Sequence, residues 1–492
     1  MHRLFLALLL AAIGLSTNAR AQQALAELES EALSLDEALS LEQVLASAQQ
    51  HYPEILESLA KRQIASQQSE VAAGAFDLVF DAEGFDRLNG FYDGRVLKAG
   101  VAQPLRPFGA SVFSEYKISD GTFPIYEDEN FTNTGGTLSA GVLFSLLRDR
   151  DIDQRRFDEF DATIALDNAD LELLMVRIGI QQRATVAYWQ WVAAGAQLAV
   201  FEELLNIAIQ RETGLQQEVN SGARARIFLT ENRQNIVRRR SLAISARELF
   251  ENSANTLALY YRDASGSLLL PAITQLPSQA VLADAVNATT PRSIRNLPQA
   301  LALQPKLRLL ENSIRRTEEE IALRRNELQP RLDLRFEVAT GFGEIGAGGP
   351  SRDTTDPIIG FDFTVPLERR AAKAKLSQSL AKRSAFYQQQ RMVMDQIEVQ
   401  IRDIFNTLSY AERLALLAAE EVNLADTMRL AEQQRFKEGA SDFFLVNVRE
   451  EAAANARVSY LSASLDSLIA RTNFDAATIN LDALGLSTFG LK

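Results

Sequence analysis

The side chains that could do chemistry in this sequence are mostly carboxylates and arginines, because the chain has no cysteine and only two histidines. His51 is the one histidine beyond the first few residues, and it lies just before Pro53 at an expected helix boundary, where a solvated position is predicted. Nucleophilic and metal catalysis rely mainly on cysteine and histidine. The sequence therefore predicts a protein that is not an enzyme and holds no cofactor or metal.

Apolar residues alternate with charged, polar or small ones in four short segments, predicted as strands at about 76–86, 137–147, 331–341 and 357–367. In "RLDLRFEVATGF", which begins at Arg331, every second residue is apolar. Successive side chains of a strand point to opposite faces, so each strand has one apolar face, and the opposite faces carry the charged residues of these segments. The charged residues expected to face water are Arg331, Asp333, Arg335, Glu337, Asp77 and Asp81.

Strands of about ten residues with this alternation have the period and length of a membrane β-barrel. The alternation alone also permits a soluble four-stranded sheet packed on helices. Four strands are too few to close a barrel, and an unpaired strand edge cannot stand in lipid. The membrane interpretation therefore requires several identical chains to share one barrel.

The chain is an internal duplication. "HYPEI" and "LQPKL" begin the two copies, which place Pro53 over Pro305 at an offset of 252, whereas Gly141 lies over Gly360 at an offset of 219. The first copy thus has about 33 extra residues, within 87–136. This segment suits either a long loop or an additional hairpin that turns at Pro107-Phe108-Gly109.

Each copy contains a long helix that ends in a sharp break. Residues 368–438 contain neither proline nor glycine, and a helix of roughly 70 residues is about 105 Å long. Gly222 and Gly439 suit the left-handed conformation that ends a helix, and Ser441 or Asp442 suits the cap of the next one. Two long coiled-coil hairpins are predicted, with tips near 219–226 and 437–444.

The predicted organisation begins with a signal peptide, because a basic start and a short apolar run precede Ala19-Arg20-Ala21, a signal-peptidase site. The expected segments are a signal peptide at 1–21, an acidic, alanine-rich lead at 22–40, a first repeat at 41–263, a proline-containing connector at 264–298, a second repeat at 299–482 and a tail at 483–492. The net charge of −13 becomes −15 when Arg3 and Arg20 are removed, which argues against nucleic acid as a partner.

The sequence resembles the TolC-like outer-membrane efflux proteins over roughly 41–481. The duplication carries the resemblance, with "GVLFSLLRDRD" and "GFDFTVPLERR" at the strand-to-helix junctions and "SGARARIFLTENR" and "EGASDFFLVNVRE" at the helical breaks. The resemblance implies an α+β membrane protein whose four strands per chain contribute to a trimeric, 12-stranded β-barrel in the bacterial outer membrane. A large periplasmic portion, made of long α-helical coiled-coil hairpins, would follow it.

The resemblance also implies a function and partners. The chain would be the outer-membrane exit duct of a tripartite efflux or type I secretion system, a passive homotrimeric conduit in contact with outer-membrane lipid. Its helical tips would dock on a periplasmic adaptor protein and an inner-membrane pump. The docking residues expected from the resemblance are Gly222, Ala223, Arg224, Gly439, Ala440 and Ser441. A soluble periplasmic coiled-coil scaffold or adaptor is the alternative.

The sequence departs from the family at the tip. Six and nine residues beyond Gly439 it carries Leu445 and Val448, where many relatives carry acids. The candidate gate or lumen charges nearby are Glu231, Asp442, Glu450 and Glu451, with ordinary solvated helix charges as the alternative. The basic run Arg238-Arg239-Arg240 is predicted to lie on a solvated face, although pairing with acids of a neighbouring helix is open.

Overall fold

The computed structural model describes residues 38–288, 292–294, 297–345 and 355–486. The predicted signal peptide, most of the lead segment and the end of the tail lie outside these residues. In chain order the helices and strands are α1 (Leu41–His51), α2 (Pro53–Ala73), β1 (Val79–Asp86), β2 (Gly94–Pro104), β3 (Ser111–Gly121), β4 (Thr137–Ser145), α3 (Gln154–Asn220), α4 (Arg226–Ala258), α5 (Gln279–Asn287), α6 (Leu297–Ala302), α7 (Pro305–Asn326), β5 (Arg331–Gly341), β6 (Thr355–Thr364), α8 (Arg370–Lys437) and α9 (Phe443–Ala477).

The chain forms two compact units. A helical unit consists of the chain up to Glu57, Leu174–Gln304 and the chain from Gln396 onward; a sheet unit consists of Ser58–Leu173 and Pro305–Asp395. Helices α3 and α8 have 67 and 68 residues, so each is about 100 Å long and contributes to both units. Two very long helices, one in each copy of the duplication, are therefore present as the sequence predicts.

The sheet unit contains one antiparallel sheet of six strands, in the order β1-β2-β3-β4-β5-β6. The sequence predicted four strands, and β2 and β3 are the additional pair. They lie within 87–136 and are joined by a short turn at Pro107–Gly109. Of the two alternatives for this segment, a long loop or an additional hairpin, the structure contains the hairpin. Phe108 and Gly109 both have positive φ, at 60° and 54°, which allows this tight reversal.

The strand boundaries differ slightly from the predicted ones. A 3₁₀ turn at Gly74–Phe76 precedes β1, and the Asp77 N–H donates to the Gly74 carbonyl over 3.1 Å. Asp77 thus completes this turn, so its prediction as a strand residue is wrong. Strand β6 is Thr355–Thr364, two residues earlier at its start than expected, whereas β5 begins and ends where it was predicted.

The helical unit has a core built on aromatic residues of α3. Trp191 is fully buried and stacks on Phe250 of α4, with ring centroids 6.2 Å apart. Tyr188 is also buried, and its hydroxyl donates to the Leu39 carbonyl over 3.0 Å. By length and composition α3 could cross a membrane, but 56% of its most apolar window is buried inside the chain. Such burial is typical of a core helix.

Candidate functional site

The register of the six strands sorts their side chains onto two faces. The polar face carries the charged residues Asp81, Glu83, Lys98, Glu115, Lys117, Arg331, Asp333, Arg335, Glu337, Asp356 and Asp362. The apolar face carries Phe80, Leu97, Val101, Tyr116, Ile118, Leu138, Val142, Phe144, Leu334, Phe336, Ile359, Phe361 and Phe363. The alternation predicted from the sequence therefore holds over most of the sheet, although the polar face also carries apolar residues such as Val96 and Phe113.

The apolar face has few charges and is largely uncovered. Its only charges within the strands are Asp86, Arg95 and Asp120, and all three lie at the end where β1 turns into β2. Phe361 and Phe80 are 73% and 68% exposed. A face this apolar and this exposed indicates a contact with lipid or with another protein.

On the polar face, oppositely charged neighbours pair. Asp333 is only 3% exposed because it accepts hydrogen bonds from the Ser145 hydroxyl at 2.8 Å and from Arg331 at 2.6 Å. The Arg335 Nε donates to Glu337 over 2.9 Å. These predicted water-facing residues do lie on the polar face, but Asp333 is a bound structural charge rather than a free one.

The two helical breaks have the same backbone geometry. Gly222 and Gly439 have φ of 76° and 75°, and each donates its N–H to the carbonyl three residues earlier. The next residue, Ala223 or Ala440, donates to the carbonyl five residues earlier, over 2.9 and 2.8 Å. This double hydrogen bond is the Schellman motif. The left-handed φ favours glycine at each position, as the sequence predicted.

The residues expected to dock partners lie at these tips. The two glycines and the alanines that follow them are exposed, whereas Arg224 and Ser441 are half-buried. The Arg224 guanidinium lies 5.4 and 5.5 Å from the ring centroids of Phe228 and Phe436, so it covers an aromatic cluster. The backbone of both tips is thus accessible, while these two side chains contribute to packing behind it.

An apolar cluster joins the two hairpins behind the tips. Leu215 of α3, Leu229 of α4 and Phe443 of α9 are buried against one another, with Phe436 of α8 packed on them. The rings of Phe436 and Phe443 are 6.5 Å apart. Each of the four long helices contributes a side chain, so the cluster holds the tips of the two hairpins together.

One buried carboxylate links the same four helices. Glu450 of α9 accepts hydrogen bonds from Arg211 of α3, from Arg239 of α4 at 3.1 Å and from Gln433 of α8 at 3.3 Å. The side chains of Glu450 and Arg239 are fully buried. Asn447 adds an acceptor 2.9 Å from Arg211. We call Arg211, Arg239, Gln433, Asn447 and Glu450 the hub.

The hub holds one carboxylate against two guanidinium groups in a desolvated site. Burial lowers the pKa of Arg239, and the charge of Glu450 only partly offsets this effect. Burial disfavours the charged form of Glu450, but the hydrogen bonds and charges of Arg211 and Arg239 together lower the pKa of that carboxyl. The carboxylate is therefore charged at neutral pH and balances part of the arginine charge.

The candidate gate charges have separate roles in this chain. Glu450 is buried in the hub, where it pairs with Arg211 and Arg239, so its role as a gate or lumen charge stays a prediction, and Arg239 is a buried partner rather than a solvated residue. Asp442 caps α9 by accepting from the Leu445 N–H at 2.7 Å, Glu451 pairs with Arg238, and Glu231 is half-buried. Within the described part of the chain, no three acidic or histidine side chains converge as metal ligands would.

No protein-family model and no curated protein sequence matches the chain. Solved structures match over 89% of it. They include the outer membrane protein VceC of Vibrio cholerae, at 14% sequence identity and a TM-score of 0.60, with 95% of that chain covered. The open state of the outer membrane channel MtrE of Neisseria gonorrhoeae matches at 15% identity and a TM-score of 0.59, with 88% of that chain covered. The Campylobacter jejuni outer membrane channel CmeC matches at 12% identity and TM-score 0.59, over 85% of its chain.

This chain has the fold of an outer-membrane channel. The TolC-like architecture that the sequence motifs resemble is therefore confirmed as a fold, with two long helical hairpins attached to an antiparallel sheet. The six strands of the sheet are a feature of this chain that the resemblance alone does not imply.

Replacing Glu450 by Gln is expected to destabilise the helical unit by about 3 to 5 kcal/mol, because it leaves two desolvated guanidinium groups without their counter-charge. Denaturant unfolding measures the lost stability, and hydrogen exchange at the C-terminal end of α3 and the N-terminal end of α9 locates it. Glu451→Gln is the matched control: Glu451 pairs with Arg238, whose side chain is 57% exposed, so its loss should stay below about 1 kcal/mol. Equal losses in the two variants would contradict the role of the hub.

Acid should weaken the same unit. The folded pKa of Glu450 lies below its ordinary value of 4.5, so the carboxylate contributes stability that is complete above about pH 5 and is lost as the pH falls through the lower, folded pKa. Unfolding midpoints between pH 7 and pH 3 test this dependence. The Glu450→Gln variant should lose less stability than the wild type over this range, and identical profiles would refute the assignment to Glu450.

Proposed function

We propose that this protein is the outer-membrane exit duct of a tripartite efflux or type I secretion system. Three copies form one passive conduit, with a barrel in the bacterial outer membrane and long helices in the periplasm. The observation that carries the proposal is the sheet, which has an apolar face, a charged face and two edge strands that each have one side unpaired among the described residues. A conduit needs a lipid-facing outside, a water-facing inside and a closed ring of strands.

The helical tips support the docking part of the proposal. Both tips present exposed glycine and alanine backbone on an identical Schellman motif. Such small, uncharged surfaces allow a partner's helices to approach closely. The adaptor and the pump would engage here, and opening would require the four helices behind the tips to move, so the hub and the apolar cluster are the contacts that resist opening.

A charge on the apolar face tests the membrane assignment. Phe336→Arg places a charge on the lipid side at an expected cost of about 2 to 4 kcal/mol, so insertion should fall sharply. Ala339→Arg, on the polar face of the same strand, is the matched control and should insert as the wild type does. The measurement is the amount of chain that resists extraction by salt or alkali and requires detergent.

The same fractionation separates the duct from the alternative function. A soluble periplasmic scaffold or adaptor would leave the membrane fraction with salt or alkali alone, in the wild type as well as in both variants. That result would refute the duct. Cross-linking of the detergent-extracted wild type should yield a species of three chains.

A bulky residue at the second tip tests docking. Gly439→Val forces a β-branched side chain into φ of 75°, which costs of the order of 1 to 3 kcal/mol and disrupts the Schellman motif. Export and cross-linking to the adaptor should be lost while the trimer remains in the membrane fraction. Thr427→Ala, an exposed position about three turns earlier on α8, should export normally. Normal export by Gly439→Val would disprove the tip assignment.

A further inference from the structure

The β2–β3 hairpin is continuous with the rest of the sheet. Strand β2 pairs with β1 over eight residue pairs and with β3 over eleven, and β3 pairs with β4 over seven. Lys98 of β2 and Glu115 and Lys117 of β3 lie on the polar face beside Asp81, while Leu97 and Ile118 lie on the apolar face. The hairpin therefore has the same two faces as its neighbours, as two further strands of one wall would have.

Contacts hold the turn of this hairpin at the start of α3. Arg106 donates to both carboxylate oxygens of Glu159, at 2.7 and 3.2 Å, and its guanidinium lies 4.6 Å from the ring centroid of Phe76. A Cβ on Gly109 would lie 2.2 Å from the Asp149 carbonyl oxygen, so the turn touches the backbone between β4 and α3. The hairpin is thus held along its strands by pairing with β1 and β4, and at its turn by the contacts with α3.

The outer strands of the sheet are open and run in opposite directions. All eight residues of β1 and nine of the ten residues of β6 are exposed. Because the sheet has an even number of antiparallel strands, β1 and β6 are antiparallel to each other. The β6 edge of a second copy would therefore meet β1 in the same antiparallel sense as every other pair, and identical copies could close a ring.

We propose that β1 of each copy pairs with β6 of the next, that the β2–β3 hairpin belongs to the barrel wall, and that the barrel has eighteen strands rather than the twelve that the family resemblance implies. The inference rests on the three copies of the proposed function. Barrel diameter grows roughly linearly with strand number, so this wall would be about half as wide again as one of twelve strands.

The extra width has a consequence where the strands meet the helices. Strands β1, β4, β5 and β6 each connect to a helix, namely α2, α3, α7 and α8, whereas β2 and β3 connect only to each other at that end. Each copy thus has two more strands than helices around the ring. The turn at Pro107–Gly109 would fill the part of the ring where these two strands have no helix of their own. Its attachment to the start of α3 through Arg106 fits that position.

Electron microscopy of the full-length, detergent-extracted wild type tests the strand count directly. A threefold ring with eighteen strands in its wall supports the inference. A threefold ring with twelve strands, in which the hairpin lies inside or outside the wall, overturns the inference and leaves the proposed function standing. Particles without a barrel overturn both.

Cysteine labelling tests the hairpin separately, and the absence of native cysteine makes each site unique. Lys98→Cys on the polar face should react several-fold faster with a membrane-impermeant maleimide than its neighbour Ala99→Cys on the apolar face. Val338→Cys and Ala339→Cys are the reference pair in β5, and Ala339→Cys should react faster. If only the β2 pair loses its difference, the hairpin is not in the wall. If neither pair differs, the proposed function fails as well.

Discussion

The backbone of the two edge strands constrains the whole molecule. Among the described residues β1 and β6 each have one neighbouring strand, so the backbone groups along the outer edge of each have no strand partner there. Water could satisfy these groups, but lipid cannot. In the proposed membrane-spanning state the apolar face beside them would lie in lipid, and both requirements would then be met only when copies of the chain complete one another. The uncovered apolar face and the open edges would both be accounted for by this arrangement.

The sequence was informative about the sheet where side chains alternate strongly. Strand β5 was predicted residue for residue because Leu332 and Phe336 alternate with charged neighbours. The mismatch between the two repeats located the additional segment and its turn, but it did not decide between a loop and a hairpin. Strand β2 contains Gly94, Ala99 and Gly100, which alternate weakly, and pairing with β1 and β3 supplies the order that its own residues do not specify.

The hub was beyond sequence reasoning for a different reason. Arg239 lies in a run of three arginines on a helix with a mainly polar pattern, and such a run is typical of a solvated surface. Glu450 is followed by Glu451, and a pair of adjacent acids is likewise typical of a solvated surface. Their burial depends on four helices that are distant in sequence meeting at one level. The available signal was charge complementarity between the two runs, since Arg238 and Arg239 pair with Glu451 and Glu450 in turn.

If the tips dock partners as proposed, their matching geometry would allow partner choice to change without changing the fold. The two hydrogen bonds of each Schellman motif are made by main-chain atoms, and neither uses the side chain of the residue two places after the glycine. Within this one chain that position is already arginine after Gly222 and serine after Gly439. Under the proposed function, new specificities would arise by substitution of tip side chains, while the long helices behind them stay as they are.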